Sequence, residues 1–380
     1  MPRLGEVLAA MDSWFDPRWA ESWDSVGLVC GDRGAEVGRI ALAVDAVPAT
    51  VGEAADFGAH LLITHHPLLL TAVHSVATDE PKGALVHRMI TEGLAHFVAH
   101  TNADVADPGV SDALTERLGL HDVRPLAAHD DPPLDKLVVY VPLADANALI
   151  DALAAAGAGA IGDYDRCAWT VEGSGTFRPL SGSHPTVGEI GRIEQVAEAR
   201  VEMVVPTRVR RDVIAALRSA HPYEEPAFDL IAQVGLPTRR GTGRIGELAA
   251  PMSLRDFTAH AAQVLPRTVW GVRAAGDPDR AVRTVAVCGG AGGSYAADAE
   301  RAGADAFLTS DLKHHATLEA VTERAPGAMA LVDAAHWATE SPWLEAVAVR
   351  LRAEFGTTVE VRVSAIPTDP WTLHTPSPSS

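Results

Sequence analysis

Short apolar segments alternate with helical patterns through both outer parts of the chain, and this alternation limits the fold more than any other feature. Predicted strands of these parts occupy residues 39–45, 61–64, 95–99, 284–288, 306–309, 329–332 and 359–363. Predicted helices follow at 48–57, 82–92 and 294–302, after the strand at 306–309 to about 324, and near His336. Repeated strand–helix units favour a largely parallel sheet covered by helices. The sequence therefore predicts an α/β fold.

The stretch between these outer parts has a different pattern. Predicted strands lie at 137–141, 200–205 and 227–231, predicted helices lie at 144–156 and 211–220, and residues 173–185 are rich in Gly, Ser, Thr and Pro. This order of elements is typical of a ferredoxin-like module. We therefore predict a discontinuous α/β core over 1–128 and 236–370, an inserted ferredoxin-like α+β domain over 129–235, and a disordered tail over 371–380.

Composition excludes several classes of partner. The 380 residues carry a net charge of −19, which opposes a nucleic-acid-binding surface. A short basic run, Arg208 with Arg210 and Arg211, is interpreted as a solvated loop and helix start. No segment approaches the roughly 18 apolar residues of a membrane span, and the N-terminus lacks the apolar run of a secretory signal. With three scattered cysteines, these features predict a cytoplasmic protein.

Five side chains that can bind metals follow predicted strands. His65 and His66 come directly after one strand, and Asp104 closes the segment after another. Far along the chain, His336 and Glu340 are four residues apart, which places both on one face of a helix. Open α/β sheets gather their ligands at the carboxyl ends of strands. We therefore expect the five side chains to meet.

Imidazole and carboxylate groups without thiolate suit zinc, iron or manganese. Any one of these histidines taken alone is more often an ordinary interior or surface side chain than a metal ligand. Their shared position after strands favours the interpretation as metal ligands. Five such groups can hold two ions. The sequence thus predicts a dinuclear metal centre formed by His65, His66, Asp104, His336 and Glu340. It assigns no catalytic residue.

Several neighbouring residues have two interpretations each. His100 either approaches the metals or orients Asp104, or else it packs in the interior. Trp23 and Asp24 are interpreted as braces of the N-terminal helix. The run Gly289–Gly293 is interpreted as a tight turn in preference to a phosphate site, because it matches no phosphate-binding pattern.

Two polar segments are also open to more than one interpretation. One holds Asp311, Lys313 and His315, which either act as outer-sphere or proton-transfer groups or are solvated loop residues. The other is His221–Pro226, where two prolines favour an ordered turn between helix and strand over a polar site.

The motifs together resemble the Nif-three-like family, whose members are also called GTP cyclohydrolase type 2 homologues. The matching stretches are Trp23–Leu28, Thr64–Leu68, His100–Asp104, Thr309–His315 and Asp333–Glu340. Gly175–Phe177, Ser181–Ser183 and His221–Pro226 resemble the middle domain of the long form of that family. The resemblance implies a Nif-three-like dinuclear-metal core, two divalent ions bound by the five residues above, and a homo-hexamer.

Two classes of function agree with these features. One is a metal-dependent hydrolase acting on a nucleotide or a phosphorylated small molecule, as the family name suggests. The other is a non-enzymatic metal-binding scaffold, chaperone or regulatory protein. A family resemblance alone does not fix a substrate, so both remain open at this point.

Overall fold

The computed structural model describes residues 1–130, 133–322 and 328–375. It has a mixed α/β fold, which confirms the fold class predicted from the sequence. The chain divides into two compact units, unit 1 with Met1–His129 and Arg239–Ser380, and unit 2 with Asp130–Thr238. The domain bounds and the ferredoxin-like insertion predicted from the sequence stay predictions.

The elements follow one another along the chain in three groups. The first group contains β1 Gly27–Cys30, β2 Arg39–Ala43, β3 Leu61–Thr64, β4 Ala95–Val98 and β5 Leu120–Asp130, with α1 Leu4–Trp14, α2 Pro48–Phe57, α3 Pro81–Thr91, α4 Thr101–Val105 and α5 Val110–Leu118. The second group contains β6 Leu134–Pro142, β7 Ala168–Phe177, β8 Glu194–Pro206 and β9 Phe228–Ala232, with α6 Ala146–Ala155 and α7 Arg210–Ala220. The third group contains β10 Pro237–Ser253, β11 Val272–Ala275, β12 Ala281–Val287, β13 Ala306–Thr309, β14 Ala330–Ala334 and β15 Glu360–Val363, with α8 Leu254–Val264, α9 Ala296–Arg301, α10 His314–Thr322, α11 His336–Glu340 and α12 Pro342–Phe355.

Unit 1 contains two sheets. The first has the strand order β1-β4-β3-β2-β15, with β15, β2, β3 and β4 parallel and β1 antiparallel at the edge. The second has the order β11-β14-β13-β12-β10-β5, in which β12, β13 and β14 are parallel. The parallel strands of both sheets are the ones that the sequence predicts. They are largely buried, and burial requires the apolar runs by which they are recognised.

Helices cover both faces of the first sheet. Leu8 of α1 and Trp343 of α12 pack with Leu42 on one face, whereas Val51 of α2 and Met89 of α3 belong to the core of the other face. A parallel sheet buried on both sides requires continuous apolar strands, as these are. The cores on both faces fix the carboxyl ends of β3 and β4.

Local sequence explains where the elements begin and end. Helix α2 begins at Pro48, whose ring suits the first turn, and it ends at Gly58 in the left-handed conformation with φ of 68°. The sequence did not predict strands β1, β5, β7, β10 and β11. Strand β7 occupies part of the Gly-rich stretch at 173–185, and most of its side chains are exposed, so it has no apolar run to mark it. The predicted end of α10 at Arg324 lies outside the described residues.

Unit 2 has a four-stranded antiparallel sheet with the order β7-β8-β6-β9. Helices α6 and α7 cover one face, where Leu149 and Leu217 pack with Val139 and Val201. Arg210 of the short basic run donates two hydrogen bonds to Asp135, at 2.7 and 2.8 Å. That guanidinium is therefore engaged within the unit.

None of the described helices combines the length and the apolar character that crossing a bilayer requires.

Candidate metal centre

Unit 1 brings the five predicted ligands together. His65 and His66 follow β3 directly, and Asp104 lies on the short helix α4 after β4. His336 and Glu340 are the first and last residues of α11, which follows β14. The carboxyl ends of strands from both sheets thus deliver the five side chains to one place.

The carboxylate of Glu340 lies at the centre of this group. Its Oε1 is 3.0 Å from His336 Nε2 and 3.5 Å from His65 Nε2. Its Oε2 is 3.0 Å from His66 Nε2. With only 3% of the residue exposed, Glu340 is held among three imidazoles that all present the same ring nitrogen to it.

The side chains that could bind a metal form two overlapping groups, which share His66. His65, His66 and His100 have their ligand atoms within 4.8 Å of one another, and so do His66, His336 and Glu340. Asp104 stands outside these two groups, but its Oδ1 is 3.6 Å from His65 Nε2. The structure therefore gathers the five predicted residues and adds His100, for which the sequence left a ligand role and a packing role open.

Every imidazole of the centre has an acceptor on its other nitrogen. The Nδ1 atoms of His66 and His336 each lie 2.7 Å from a carboxylate, of Asp45 and Asp311 respectively. His65 Nδ1 is 2.9 Å from the carbonyl oxygen of Ala99. Metal-binding histidines commonly donate this second N–H to a carboxylate or carbonyl, which fixes the ring and leaves Nε2 free for the ion.

His100 follows the same arrangement through Asp24. Its Nδ1 lies 2.9 Å from Asp24 Oδ1, and Asp24 Oδ2 also accepts a hydrogen bond of 3.0 Å from the backbone of Thr101. The interpretation of Asp24 as a brace of the N-terminal helix was therefore wrong. Trp23, which is 58% exposed, stands edge-on to His100 with 6.0 Å between ring centroids.

The electrostatics of the centre favour positive charge at the Nε2 positions. Burial alone would lower the pKa of His66, but Glu340 and Asp45 raise it to about 11. His336 behaves in the same way, since Glu340 outweighs burial and raises its pKa to about 9. Burial raises the pKa of Asp104 to about 6. A divalent cation would satisfy the same negative potential.

Comparisons with known proteins agree with this arrangement. The family model described as Duf34/NIF3 (NGG1p interacting factor 3) matches residues 2–370. The chain belongs to the Duf34/NIF3 family. It is 52% identical to a protein of Mycobacterium leprae named GTP cyclohydrolase 1 type 2 homolog, over 98% of this chain and 95% of that protein. A Bacillus subtilis protein of the same name is 37% identical, over 97% and 98% of the two chains.

Solved structures of relatives share the fold of this Duf34/NIF3 chain. A Bacillus cereus protein related to NIF3 has a TM-score of 0.70 at 34% identity, and the match covers 98% of this chain and 99% of the other. A Staphylococcus aureus protein has a TM-score of 0.79 at 27% identity, with the same coverage. The resemblance inferred from the motifs is thereby confirmed.

Two buried atoms without hydrogen-bond partners indicate whether these side chains suit a bound metal ion. Among the described residues, His65 Nε2 and Glu340 Oε2 are buried polar atoms that have no hydrogen-bond partner of acceptable geometry. Buried polar atoms without partners are rare and unfavourable in proteins. Both atoms point into the group of imidazoles and carboxylates, so the residues present fit a bound cation.

The glycine run lies directly against Glu340. Gly290 has φ of 66°, and a Cβ there would be 2.4 Å from Glu340 Oε1. The backbone N–H groups of Gly290 and Gly292 donate to the side chains of Thr339 and Thr309, at 2.9 and 2.8 Å. These contacts agree with the interpretation of the run as a tight turn, which allows the carboxylate to approach the backbone closely.

Of the three polar residues singled out after β13, only Asp311 contacts one of the predicted ligands. Asp311 contacts His336, as one of its two interpretations required. Within the described part of the chain, Lys313 and His315 are exposed and make no hydrogen bond to the five predicted ligands. For Lys313 the structure favours the solvated-loop interpretation, whereas His315 is an exposed residue of the first turn of α10.

Asp311→Asn is expected to weaken metal binding without unfolding the protein. Its carboxylate orients His336 and increases the basicity of the ring, and loss of such a partner typically lowers metal affinity by about 10- to 100-fold. Competition with a chromophoric chelator measures the change. Asp279→Asn, which removes an exposed carboxylate elsewhere in unit 1, serves as the control. Equal affinities of the two variants would contradict the role assigned to Asp311.

Proposed function

We propose that this chain is a dinuclear metal-binding protein and a metal-dependent hydrolase that acts on a nucleotide or a phosphorylated small molecule. The observation that carries the proposal is a cavity of 470 Å³ lined by His66 and His336 of the centre together with Trp270, Arg273 and Trp371. This volume lies within the range of about 300–1,000 Å³ that is typical of small-molecule sites.

The proposed ligands of the two ions are His65, His66, Asp104, His336 and Glu340. Two overlapping groups of donors that share His66 support a count of two. The mixture of imidazole and carboxylate suits zinc, iron or manganese. When bound, two such ions supply Lewis-acid polarisation of a substrate oxygen and lower the pKa of a water molecule toward neutrality.

The other residues of the cavity suit an aromatic and anionic substrate. The rings of Trp270 and Trp371 stack with 5.7 Å between centroids and 30° between planes, and they offer an apolar surface for a heterocyclic base. Arg273 lies over Trp270 at 4.4 Å and pairs with Asp333 at 2.6 Å. Its guanidinium is thus held at the cavity, where it can pair with an anionic group of the substrate.

Trp371 is the first residue of the tail predicted to be disordered. In the structure it packs against Trp270, whereas residues 376–380 lie outside the described part of the chain. Thr368, three residues earlier, donates a short hydrogen bond to Asp45, the acceptor of His66. The segment that precedes the end of the chain therefore borders the proposed substrate site.

Turnover by metal-loaded protein tests the proposed reaction. Purified protein loaded in turn with zinc, iron or manganese is incubated with nucleoside triphosphates, nucleoside monophosphates and simple phosphoesters. We expect release of product that a chelator abolishes and that a variant without metal does not support. Trp270→Ala should raise KM more than it lowers kcat, because its ring contributes binding surface and no reacting group.

Absence of turnover on every substrate, by protein shown to hold its metal, would favour the non-enzymatic alternative of a scaffold, chaperone or regulator. The homo-hexamer that the family resemblance implies and the cytoplasmic location that the sequence predicts are parts of the same proposal. Light scattering coupled to gel filtration measures the assembly.

A further inference from the structure

Unit 2 contains a cavity of 630 Å³ that is separate from the residues of the metal centre. Val139 and Val201 pack under helices α6 and α7, so their neighbours Tyr140 and Arg200 point to the opposite face of the sheet, where the cavity lies. Residues of the loops at 179–187 and 222–227 form its walls. Its lining is mainly apolar and its volume suits a small molecule.

The buried carboxylate of Glu198 belongs to the lining of this cavity. Glu198 is 9% exposed, and its Oε1 accepts a hydrogen bond of 2.9 Å from the hydroxyl of Tyr223. In the described ranges no hydrogen bond or ion pair engages its Oε2. A Cβ on Gly175 would be 1.9 Å from that oxygen, so the carboxylate can lie against β7 only because residue 175 has no side chain. The free oxygen of this largely buried carboxylate can accept a hydrogen bond from a donor or cation in the cavity.

The segment His221–Pro226 holds the aromatic side of the cavity in place. His221 Nε2 lies 2.9 Å from the carbonyl oxygen of Tyr140, and His221 Nδ1 accepts a hydrogen bond of 3.0 Å from the backbone of Tyr223. The Tyr223 ring is 5.7 Å from that of Phe177. Burial and then Glu198 raise the pKa of Tyr223, so its hydroxyl stays protonated and remains a donor. The segment is an ordered turn that also carries polar groups into a cavity.

The charges around the cavity are mostly negative. Its acidic lining consists of Glu172, Glu198, Glu224 and Glu225, and its basic lining consists of Arg200. Arg200 pairs with Glu202 at 2.8 Å, a carboxylate that Lys136 also contacts, so a single guanidinium that is partly compensated faces four carboxylates. The potential in the cavity therefore favours a cation, and the faces of Phe177 and Tyr223 favour one by cation–π attraction.

We propose that unit 2 binds a small organic cation, an ammonium group carried on an apolar or aromatic body, with Glu198 as its counter-ion. The ammonium group would donate to the free Oε2 of Glu198. The apolar body would lie against Phe177, Tyr223 and Val187. This site does not depend on the reaction proposed for unit 1.

Calorimetric titration of the full chain with 2-phenylethylammonium tests the proposal, and 3-phenylpropionate of similar size and opposite charge is the comparison probe. We expect the cation to bind and the anion not to bind. Glu198→Gln keeps the size of the side chain and should weaken binding of the cation by about 10- to 100-fold. Gly175→Ala should also weaken it, because a Cβ there would displace the Glu198 carboxylate.

Asp229→Asn is the matched control, because Asp229 is an exposed carboxylate on β9 that does not line the cavity. Its affinity for the cation should equal that of the unaltered protein. Three results would overturn the proposal: no binding of the cation to the folded protein at millimolar concentration, unchanged affinity in Glu198→Gln, or equal binding of the anion. Circular dichroism establishes that each variant is folded.

Discussion

Glu340→Gln is expected to purify with little or no bound metal. The substitution keeps the size of the side chain but removes the charge that faces His65, His66 and His336 at 3.0–3.5 Å. The pKa of Glu340 illustrates that interaction, since burial alone would raise it and the three imidazoles lower it well below its usual range. We expect the affinity for divalent ions to fall by more than about 100-fold, beyond the loss typical of an outer partner.

Elemental analysis of the purified variants measures this effect. Glu345→Gln is the control, because Glu345 is a largely exposed carboxylate on the adjacent helix α12. It should retain the full metal content. If Glu340→Gln holds as much metal as the control, Glu340 is not a ligand. His65→Ala, which removes a second buried donor, should show the same loss independently.

Arg244→Met is expected to cause the largest loss of stability among substitutions outside the metal centre. Arg244 is 1% exposed. Its guanidinium makes two hydrogen bonds of 2.7 Å to Asp112 and donates to the carbonyl oxygens of Ala106, Gly241 and Gly243 at 2.5–2.8 Å. Methionine retains the apolar stem but leaves these acceptors without a donor. Breaking such a buried pair typically costs about 3–5 kcal/mol.

Urea unfolding followed by tryptophan fluorescence measures the change in the free energy of unfolding. Trp169 is the single tryptophan of unit 2, so the signal reports mainly on unit 1. Arg239→Met is the control, since Arg239 is 80% exposed and pairs with Asp107 at the surface. It should alter stability by no more than about 0.5 kcal/mol. A loss below about 1 kcal/mol in Arg244→Met would contradict the role assigned to the buried pair.

The sequence could predict the parallel strands and the candidate metal ligands because both depend on local patterns. Strands β2, β3 and β4 are apolar runs, and a ligand that follows such a run must lie at the carboxyl edge of the sheet. His336 and Glu340 add the spacing of one helical turn. These rules identified the five residues that the structure brings together.

Two of the outer partners, Asp45 and Asp24, could not be predicted in this way. Asp45 lies 21 residues before His66 along the chain, and Asp24 lies 76 residues before His100. Neither carboxylate has a spacing or a motif that points to its histidine, so only the folded arrangement of the strands brings each pair together. The signal available for Asp45 was its position directly after the predicted strand at 39–45.

Strands without apolar runs were missed for a related reason. The first half of β10 contains several Arg and Gly residues. Its buried Arg244 donates to Asp112 and to the carbonyl oxygen of Ala106 from distant parts of the chain, as well as to the nearby carbonyl oxygens of Gly241 and Gly243. Strand β7 has exposed side chains on both faces. In both cases long-range pairing, and not local hydrophobic pattern, determines the strand.

X-ray diffraction from crystals of the unaltered protein, recorded at the zinc, iron and manganese absorption edges, tests the metal centre most directly. We expect two anomalous peaks in each chain, both among His65, His66, Asp104, His336 and Glu340. A map with no peak among these side chains, from protein that elemental analysis shows to contain metal, would contradict the assignment of the site. A single peak would contradict its dinuclear character.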